Sequence, residues 1–323
     1  MRRGRRMKWV KKGKIFAPDH NSDWMVSHAS LPVADKITDE VLRIYFGTRD
    51  GKGRSHTSYL EVDADNPQKI LHVHNEPVLS LGELGTFDDS GIMPSWLVSH
   101  DGNKYLYYIG WNPQVTVPYR LAIGLAISKD GGDSFHKFSD GPICERAIDE
   151  PFFNTAPCVI HEGGKWRMWY VSCTGWKIVN SRAEPRYHVK YAESQDGIRW
   201  QKTGVVCIDY ESSTDAIGRP CVFNDNGLYK MLYSYRSITD YRTSPKQGYR
   251  LGYAESADGL AWTRRDADVG IESSESGWDS EMMEYCFIYE HKDQTYLFYS
   301  GNGFGKSGIG YAVCNRTRDG IRR

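Results

Sequence analysis

The chain says nearly the same thing three times. The stretch "YRLGYAESADGLAWTRR" begins at Tyr249. "YHVKYAESQDGIRWQKT" begins 62 residues earlier at Tyr187, and "YRLAIGLAISKDGGDSFHKF" begins 68 residues before that at Tyr119. A sequence period of this size means one structural unit used repeatedly, and it narrows the fold before any single residue is considered. The unit is wider than the quoted piece. Each copy is preceded by a short strand pattern with an apolar run ("GIMPSWLV", "NTAPCVIH", "IGRPCVFN") and then by an aromatic, alternating one ("KYLYYIGW", "KWRMWYVS", "YKMLYSYR"). The repeated strand follows, then a D-G turn, then a strand opening near Trp or Phe. "HASLPVADKITDEVLRIYFGTRDGKGRSHTSYLEVD" and "EMMEYCFIYEHKDQTYLFYSGNGFGKSGIGYAVC" supply two further units, which makes five of about 65 residues each. Four short alternating strands per repeated unit predict an all-β fold, a five-bladed β-propeller with four antiparallel strands per blade.

The expected blades are 24–80, 87–145, 150–209, 214–272 and 279–314 in a single domain covering 1–323. The last unit stops at "GIGYAVC" and lacks a fourth strand, while "MKWVKKGKIFAPD" matches "IRWQKTGVVCID", with Trp9 aligned to Trp200 and Trp262. Residues 7–16 are therefore expected to complete the last blade against 308–314, which removes two open sheet edges. The three tryptophans are read as blade packing.

Composition excludes several classes. The 41 basic residues balance the 41 acidic ones, so no global charge points to nucleic acid. There is no apolar run long enough for a membrane span, and the basic start has no apolar segment of a secretory signal. The seven cysteines are odd in number and lack C-x-x-C spacing, which predicts reduced thiols in a cytoplasmic protein without structural zinc. Cys158, Cys221 and Cys286 recur at one place in three units and are read as small buried hydrophobes. No cofactor or metal is expected, and the oligomeric state is left open.

In a four-stranded meander the strand 2–3 loops share one face with the starts of the inner strands. Those loops are long and carry Trp111, Asn112, Trp176, Tyr235 and Asn302, side chains suited to stacking on and bonding sugars. They also carry ten bases (Arg49, Lys52, Arg54, Lys177, Arg182, Arg186, Arg236, Arg242, Lys246, Lys306) against three acids (Asp50, Glu184, Asp240). This asymmetry predicts an anionic ligand such as an acidic sugar, sugar phosphate or nucleotide sugar; a plainly solvated basic rim is the alternative. The inner-strand starts contribute Asp23, Trp24 and His28, then Asp88 and Asp89, then Asp149, Glu150 and Asn154, then Asp215 and Arg219, and last Asp279, Glu281 and Glu284. Carboxylates converging on a central funnel suit glycosidic cleavage, in which one acid is protonated and another ionised. Any one of them is equally readable as a turn cap or an arginine partner.

The five-unit count and the motifs "FDDSGIMPS", "WRMWY", "YAESQDGIRW" and "SGWDSEM" resemble the five-bladed propeller glycosidases of the arabinanase, levansucrase and invertase type, glycoside hydrolase families 32, 43 and 68. The resemblance covers nearly the whole chain. It is closest to bacterial glycosyl hydrolase-like propellers of surface-polysaccharide clusters. It implies catalytic acids from the first strands of blades one, two and three, with Asp89 in the second role and Glu150 in the third. The blade-one opening departs from the pattern, so Glu281, Glu284 and Asp215 stand as further catalytic candidates. The expected function is a glycoside hydrolase or transglycosidase acting on a small anionic glycoside or nucleotide sugar. The alternatives are a non-hydrolytic sugar-binding propeller and another sugar-modifying enzyme.

Overall fold

The computed structural model describes residues 7–19, 22–211 and 216–315. Strand β1 (Val10–Phe16) opens the chain. Four antiparallel meanders follow in sequence. β2 (Ser27–Lys36), β3 (Val41–Arg49), β4 (Ser55–Asp63) and β5 (Ile70–Val73) pair in that order. β6 (Gly91–His100), β7 (Asn103–Pro113), β8 (Tyr119–Ser128) and β9 (His136–Lys137) do the same. So do β10 (Asn154–Glu162), β11 (Lys165–Val179), β12 (Arg182–Ser194) and β13 (Gln201–Ile208). The next set is β14 (Ala216–Asp225), β15 (Leu228–Arg236), β16 (Arg250–Ser256) and β17 (Thr263–Arg264). The last, β18 (Glu284–His291), β19 (Gln294–Ser300) and β20 (Ile309–Asn315), takes β1 as its outer strand, with Val10 opposite Val313 and Phe16 opposite Ile309. The first strands touch in cyclic order, β2 to β6 to β10 to β14 to β18 and back to β2.

The repeat is legible in the contacts that join successive meanders. In the S-x-D-G turns, Asp196 Oδ1 accepts the backbone N–H groups of Ile198 and Arg199 at 2.9 and 2.8 Å, and Asp258 Oδ1 does the same for Leu260 and Ala261. These bonds fix the turn locally, as Asp side chains do wherever they can satisfy nearby backbone donors. The glycine carbonyl of each turn then accepts from an aromatic of the preceding meander. Tyr45 donates to Gly132, Tyr107 to Gly197 and Trp169 to Gly259, each at 2.8 Å. Gly197 stands at φ 73°, and a Cβ there would lie 2.9 Å from Tyr107 Oη, so neither the conformation nor the space admits a side chain. The outer tryptophans pack backwards in the same sense. Trp9 Nε1 donates to Val269 O at 3.0 Å, Trp200 meets Tyr107 edge-on and Trp262 meets Trp169 edge-on. The six cysteines from Cys144 to Cys286 are free and buried. Among them, Cys158 and Cys221 lie between adjacent first strands, where their sulfurs accept the N–H groups of Val222 and Ile288.

One element differs from expectation. The segment "CTGWKIVNSRAEPR" reads as a long loop, yet β11 and β12 continue through it as a paired hairpin, with Lys177 opposite Glu184 and Val179 opposite Arg182. Only Asn180 and Ser181 turn the chain, both at positive φ (49° and 62°). Two consecutive left-handed residues match the twist of the flanking strands, so the hairpin can extend above its sheet.

Candidate functional site

Each first strand slips register at the same depth, between Ser30 and Val33, Pro94 and Trp96, Thr155 and Cys158, Gly218 and Cys221, and Glu284 and Phe287. Leu31, Ala156, Arg219 and Tyr285 sit in these bulges at φ between 29° and 54°. A bulge re-aims the side chain it carries, and these four residues all line one cavity of about 410 Å³. That volume is in the range of a small-molecule site. The cavity opens on the face of the strand 2–3 loops. Its wall is aromatic and cationic: Trp111, Tyr119, Phe153, Tyr187, Tyr241, Tyr249, Tyr285 and Phe304 with Arg49, Arg182, Arg219, Arg236 and Arg242. None of the described residues lining it is a carboxylate.

Arg219 closes the floor. It is fully buried, and its Nη2 donates to Pro32 O at 2.9 Å and Ser95 O at 3.0 Å, while Nη1 reaches Tyr285 O at 2.5 Å. One guanidinium from β14 thus holds carbonyls of three other first strands. Its Nε has no hydrogen-bond partner. Burial lowers its pKa to about 10, with no carboxylate to offset the cost. Arg236 is buried on the wall. Its Nε donates to Tyr249 Oη at 3.1 Å, and its guanidinium lies 3.7 Å over the ring of Tyr241. Tyr249 and Tyr187 share a short hydrogen bond between their phenol oxygens. Glu184, on the extended hairpin, accepts from Tyr241 Oη at 2.6 Å and Arg242 Nε at 3.1 Å and stands 3.4 Å from Arg182 Nε, so one carboxylate serves two of the cavity arginines.

The expected carboxylates do not converge. Asp88 is buried and turned back into its own meander, bonded by Tyr108 Oη at 2.9 Å and Lys137 Nζ at 2.7 Å. Glu150 meets Tyr170 Oη at 2.8 Å, Lys190 Nζ at 3.0 Å and Lys202 Nζ at 3.4 Å. Asp279 meets Tyr299 Oη at 3.0 Å and Lys11 Nζ at 2.6 Å. The pattern is the same three times: an acid before the first strand, a tyrosine on the second and a lysine on the outer strand. It ties each sheet from its innermost to its outermost strand. Burial alone would raise the Glu150 carboxyl, but the bonds from Lys190 and Tyr170 and the charge of Lys202 hold it below the ordinary value. Asn154, beside it, donates to Glu150 at 2.6 Å and belongs to the same network. Asp89 caps a turn, accepting from Gly85 N at 2.9 Å and Ser90 Oγ at 2.8 Å. Glu281 and Asp23 are exposed and outside the cavity wall. Asp215 lies outside the described residues.

Glu284 is different. It is fully buried at the start of β18, and among the described residues no well-formed hydrogen bond reaches either carboxylate oxygen. Burial raises its pKa well above the ordinary value, opposed by the field of Arg236, by the Tyr285 hydroxyl beside it and by the fields of Arg242 and Arg49. It adjoins Tyr285 in sequence, and those three arginines line the cavity.

The remaining expected binding residues divide in two. Arg49, Trp111, Arg219 and Arg236 line the cavity, with Trp111 Nε1 3.3 Å from Ser55 Oγ. Trp176 supports the wall from behind, packed on Tyr119 and Phe153. His28 stands at φ 64° beside Arg49 and Lys306; burial and those two charges lower its pKa to about 4. The rest are fastened elsewhere. Trp24 donates to Asn75 O, Asn112 to Thr86 O and Asn302 to Gly277 O. Arg186 lies 4.0 Å over Tyr210, and Tyr235 lines a separate hollow with Arg250 and Asp266. The missed residues carried a signal. Tyr119, Tyr187 and Tyr249 are the opening residues of the three repeated stretches, and all three line the cavity.

Comparison with known proteins places this architecture. No family model matches the chain. It is 40% identical over 308 residues to two Mycobacterium tuberculosis proteins, uncharacterized protein Rv1502 (strain ATCC 25618 / H37Rv) and uncharacterized protein MT1551 (strain CDC 1551 / Oshkosh). The match spans 95% of this chain and 99% of each relative. The chain belongs to the family of these mycobacterial proteins. Among solved structures, a glycoside hydrolase superposes with a TM-score of 0.72 at 19% identity, covering 98% of this chain and 94% of its own. A thermostable family-43 glycoside hydrolase gives 0.65 at 17% identity, over 93% of this chain and 94% of its own. A GH130 protein, from a family described as mannoside phosphorylases containing glycoside hydrolases, gives 0.64 at 18%, over 97% and 95%. The chain therefore shares the nearly all-β fold of these glycoside hydrolases.

Proposed function

We propose that this protein is a glycosidase-like enzyme on a five-bladed propeller scaffold, taking a small anionic glycoside into the arginine-lined cavity, with Glu284 as its proton donor. The five meanders and the cyclic contact of their first strands support the blade count. The observation that carries the chemistry is Glu284, a fully buried carboxyl in the field of three cavity arginines, whose pKa burial raises. Burial favours the protonated form of such a group, which can deliver its proton to the leaving glycosidic oxygen as the C–O bond breaks, while water adds to the anomeric carbon and its proton returns to the carboxylate. The carboxylate left behind is then stabilised by Arg49, Arg236 and Arg242. The aromatic wall suits the apolar face of a sugar ring.

A second reading, an anionic-sugar-binding propeller without hydrolysis, is favoured by the absence of a carboxylate from the described cavity wall. The two separate in one experiment. A panel of acidic glycosides, sugar phosphates and nucleotide sugars is screened for binding and for cleavage with wild-type protein and Glu284→Gln. Cleavage that disappears in the variant while binding persists supports the enzyme. Binding without cleavage of any bound member supports the second reading.

A further inference from the structure

The cations of this cavity exceed what its acids can neutralise. Glu184 is shared between Arg182 and Arg242. Among the described residues, Arg236 bonds only tyrosine and carbonyl oxygens. Arg219 bonds only carbonyl oxygens and keeps a buried, unpartnered Nε on the cavity floor. Among the described residues, no carboxylate lies within ion-pair distance of Arg49. Arg49 comes from β3 and Arg242 from the loop after β15, yet both line the one cavity, and the field of one acts on the other. Phe304, two residues before Lys306, lines the cavity with the Arg242 guanidinium 5.1 Å from its ring, and the charges of Arg49 and Lys306 both act on the His28 ring. Like charges brought together from separate elements of a rigid fold repel one another, and that energy is recovered only when a counter-anion enters.

We propose that the cavity binds a phosphate-bearing ligand, with the dianionic group between Arg49 and Arg242 and beside Lys306. This inference rests on the anionic-ligand reading above and narrows its chemistry. A sugar carboxylate brings one negative charge. Of the five cavity arginines, Arg182 and Arg242 pair with Glu184, and Arg49, Arg219 and Arg236 have no carboxylate in ion-pair distance among the described residues, which leaves more positive charge than one carboxylate can balance. A phosphate or diphosphate brings two or more charges, and its oxygens match the planar donor fork of arginine in pairs. The aromatic wall beyond the arginines takes the sugar or base to which the phosphate is attached.

The test is calorimetric titration with inorganic pyrophosphate, a nucleoside diphosphate, a hexose 1-phosphate and glucuronate, at low and at physiological salt. Pyrophosphate should bind, weaken as salt rises, and lose at least about tenfold in affinity in Arg49→Gln and severalfold in Lys306→Gln. At least one of the two organic phosphates should bind more tightly than glucuronate, and the tighter one names the source of the phosphate. The His28 ring, followed by NMR in the wild type, should titrate at a higher pH once pyrophosphate is bound, since the anion offsets Arg49 and Lys306; this measurement stands even where Arg49→Gln fails to fold. Glucuronate binding more tightly than every phosphate, or pyrophosphate affinity and the His28 titration both unchanged, overturns the proposal. Glycoside cleavage is a separate readout. Lost phosphate binding with Glu284-dependent cleavage intact removes this inference alone, and phosphate binding without any cleavage removes the enzyme reading alone.

Discussion

Lys11 Nζ lies 2.6 Å from Asp279 Oδ2 across 268 residues of chain. The lysine is on β1 and the aspartate precedes β18, so one ion pair joins the two ends of the last meander. Asp279 is almost fully buried and Lys11 about one quarter exposed. Lys11→Met leaves a buried carboxylate with Tyr299 as its remaining side-chain donor. The expected loss is on the order of 2 kcal/mol, below the fully buried range because Lys11 is partly solvated. Lys11→Met combined with Asp279→Asn should recover part of it. Removing residues 1–16 should lower the melting temperature further, since it also exposes the edge of β20. Urea unfolding of the three variants checks the set, and a truncation as stable as the full chain would remove β1 from the closure.

Glu150 should behave as a structural acid with a defined pH signature. Its folded pKa is lowered, from an ordinary value of 4.5. The stability it contributes is therefore present above that value and lost as pH falls through the folded pKa. Glu150→Gln leaves Lys190 and Lys202 without their anion and should cost on the order of 3 kcal/mol at neutral pH, shrinking in acid. Stability curves measured from pH 3 to 8 test the sign. A variant as stable as wild type at pH 7 would show that the acid–tyrosine–lysine tie is not structural.

The alternating strand patterns and the pairing of β1 with β20 were legible in the sequence, because period-2 alternation and the Trp9 match carry that information locally. The destination of the acids was not. Asp88, Glu150 and Asp279 occupy repeated positions, as funnel residues would, but their side chains turn into the sheet because Tyr108, Tyr170 and Tyr299 on the second strand offer buried hydroxyl donors. Sequence patterning gives the face of a strand residue and leaves open the rotamer of a residue just before the strand begins. The same limit hid the bulges. Leu31, Ala156 and Tyr285 reach the cavity through positive φ at ordinary residues, for which the sequence has no glycine marker. The opening tyrosines were visible as letters of the repeat, but their role appears only when three strands are placed around one axis.

Arg219 should be needed to hold the first strands together. Arg219→Met has similar length and no donors, so the carbonyls of Pro32, Ser95 and Tyr285 lose their buried side-chain donor. Each buried acceptor left unpaired costs about 1–3 kcal/mol. The variant should unfold at much lower denaturant concentration. Arg219→Lys, which keeps a charge but cannot span three carbonyls in a fork, should fall between the two. Equal midpoints for all three proteins would show that the arginine is there for a ligand and not for the fold.

Glu284 separates stability from turnover. Its folded pKa is raised well above 4.5, so the folded state holds a proton that the unfolded chain releases. Wild-type stability should therefore decline as pH rises from about 4.5 toward the folded pKa, the opposite slope to that of Glu150. Glu284→Gln replaces a neutral acid with a neutral amide of nearly the same shape. It should fold, lose that decline, and match or exceed wild-type stability at pH 7. If Glu284 donates the proton, the same variant should turn over the identified substrate roughly 10²–10⁴-fold more slowly. The slowing should be smaller for substrates whose leaving group needs no protonation, such as an aryl glycoside with an acidic phenol. The basic limb of the wild-type rate profile should vanish with the carboxyl. A variant that keeps full activity on both substrate types, while showing the expected change in stability, would leave Glu284 as a buried acid with no part in the chemistry.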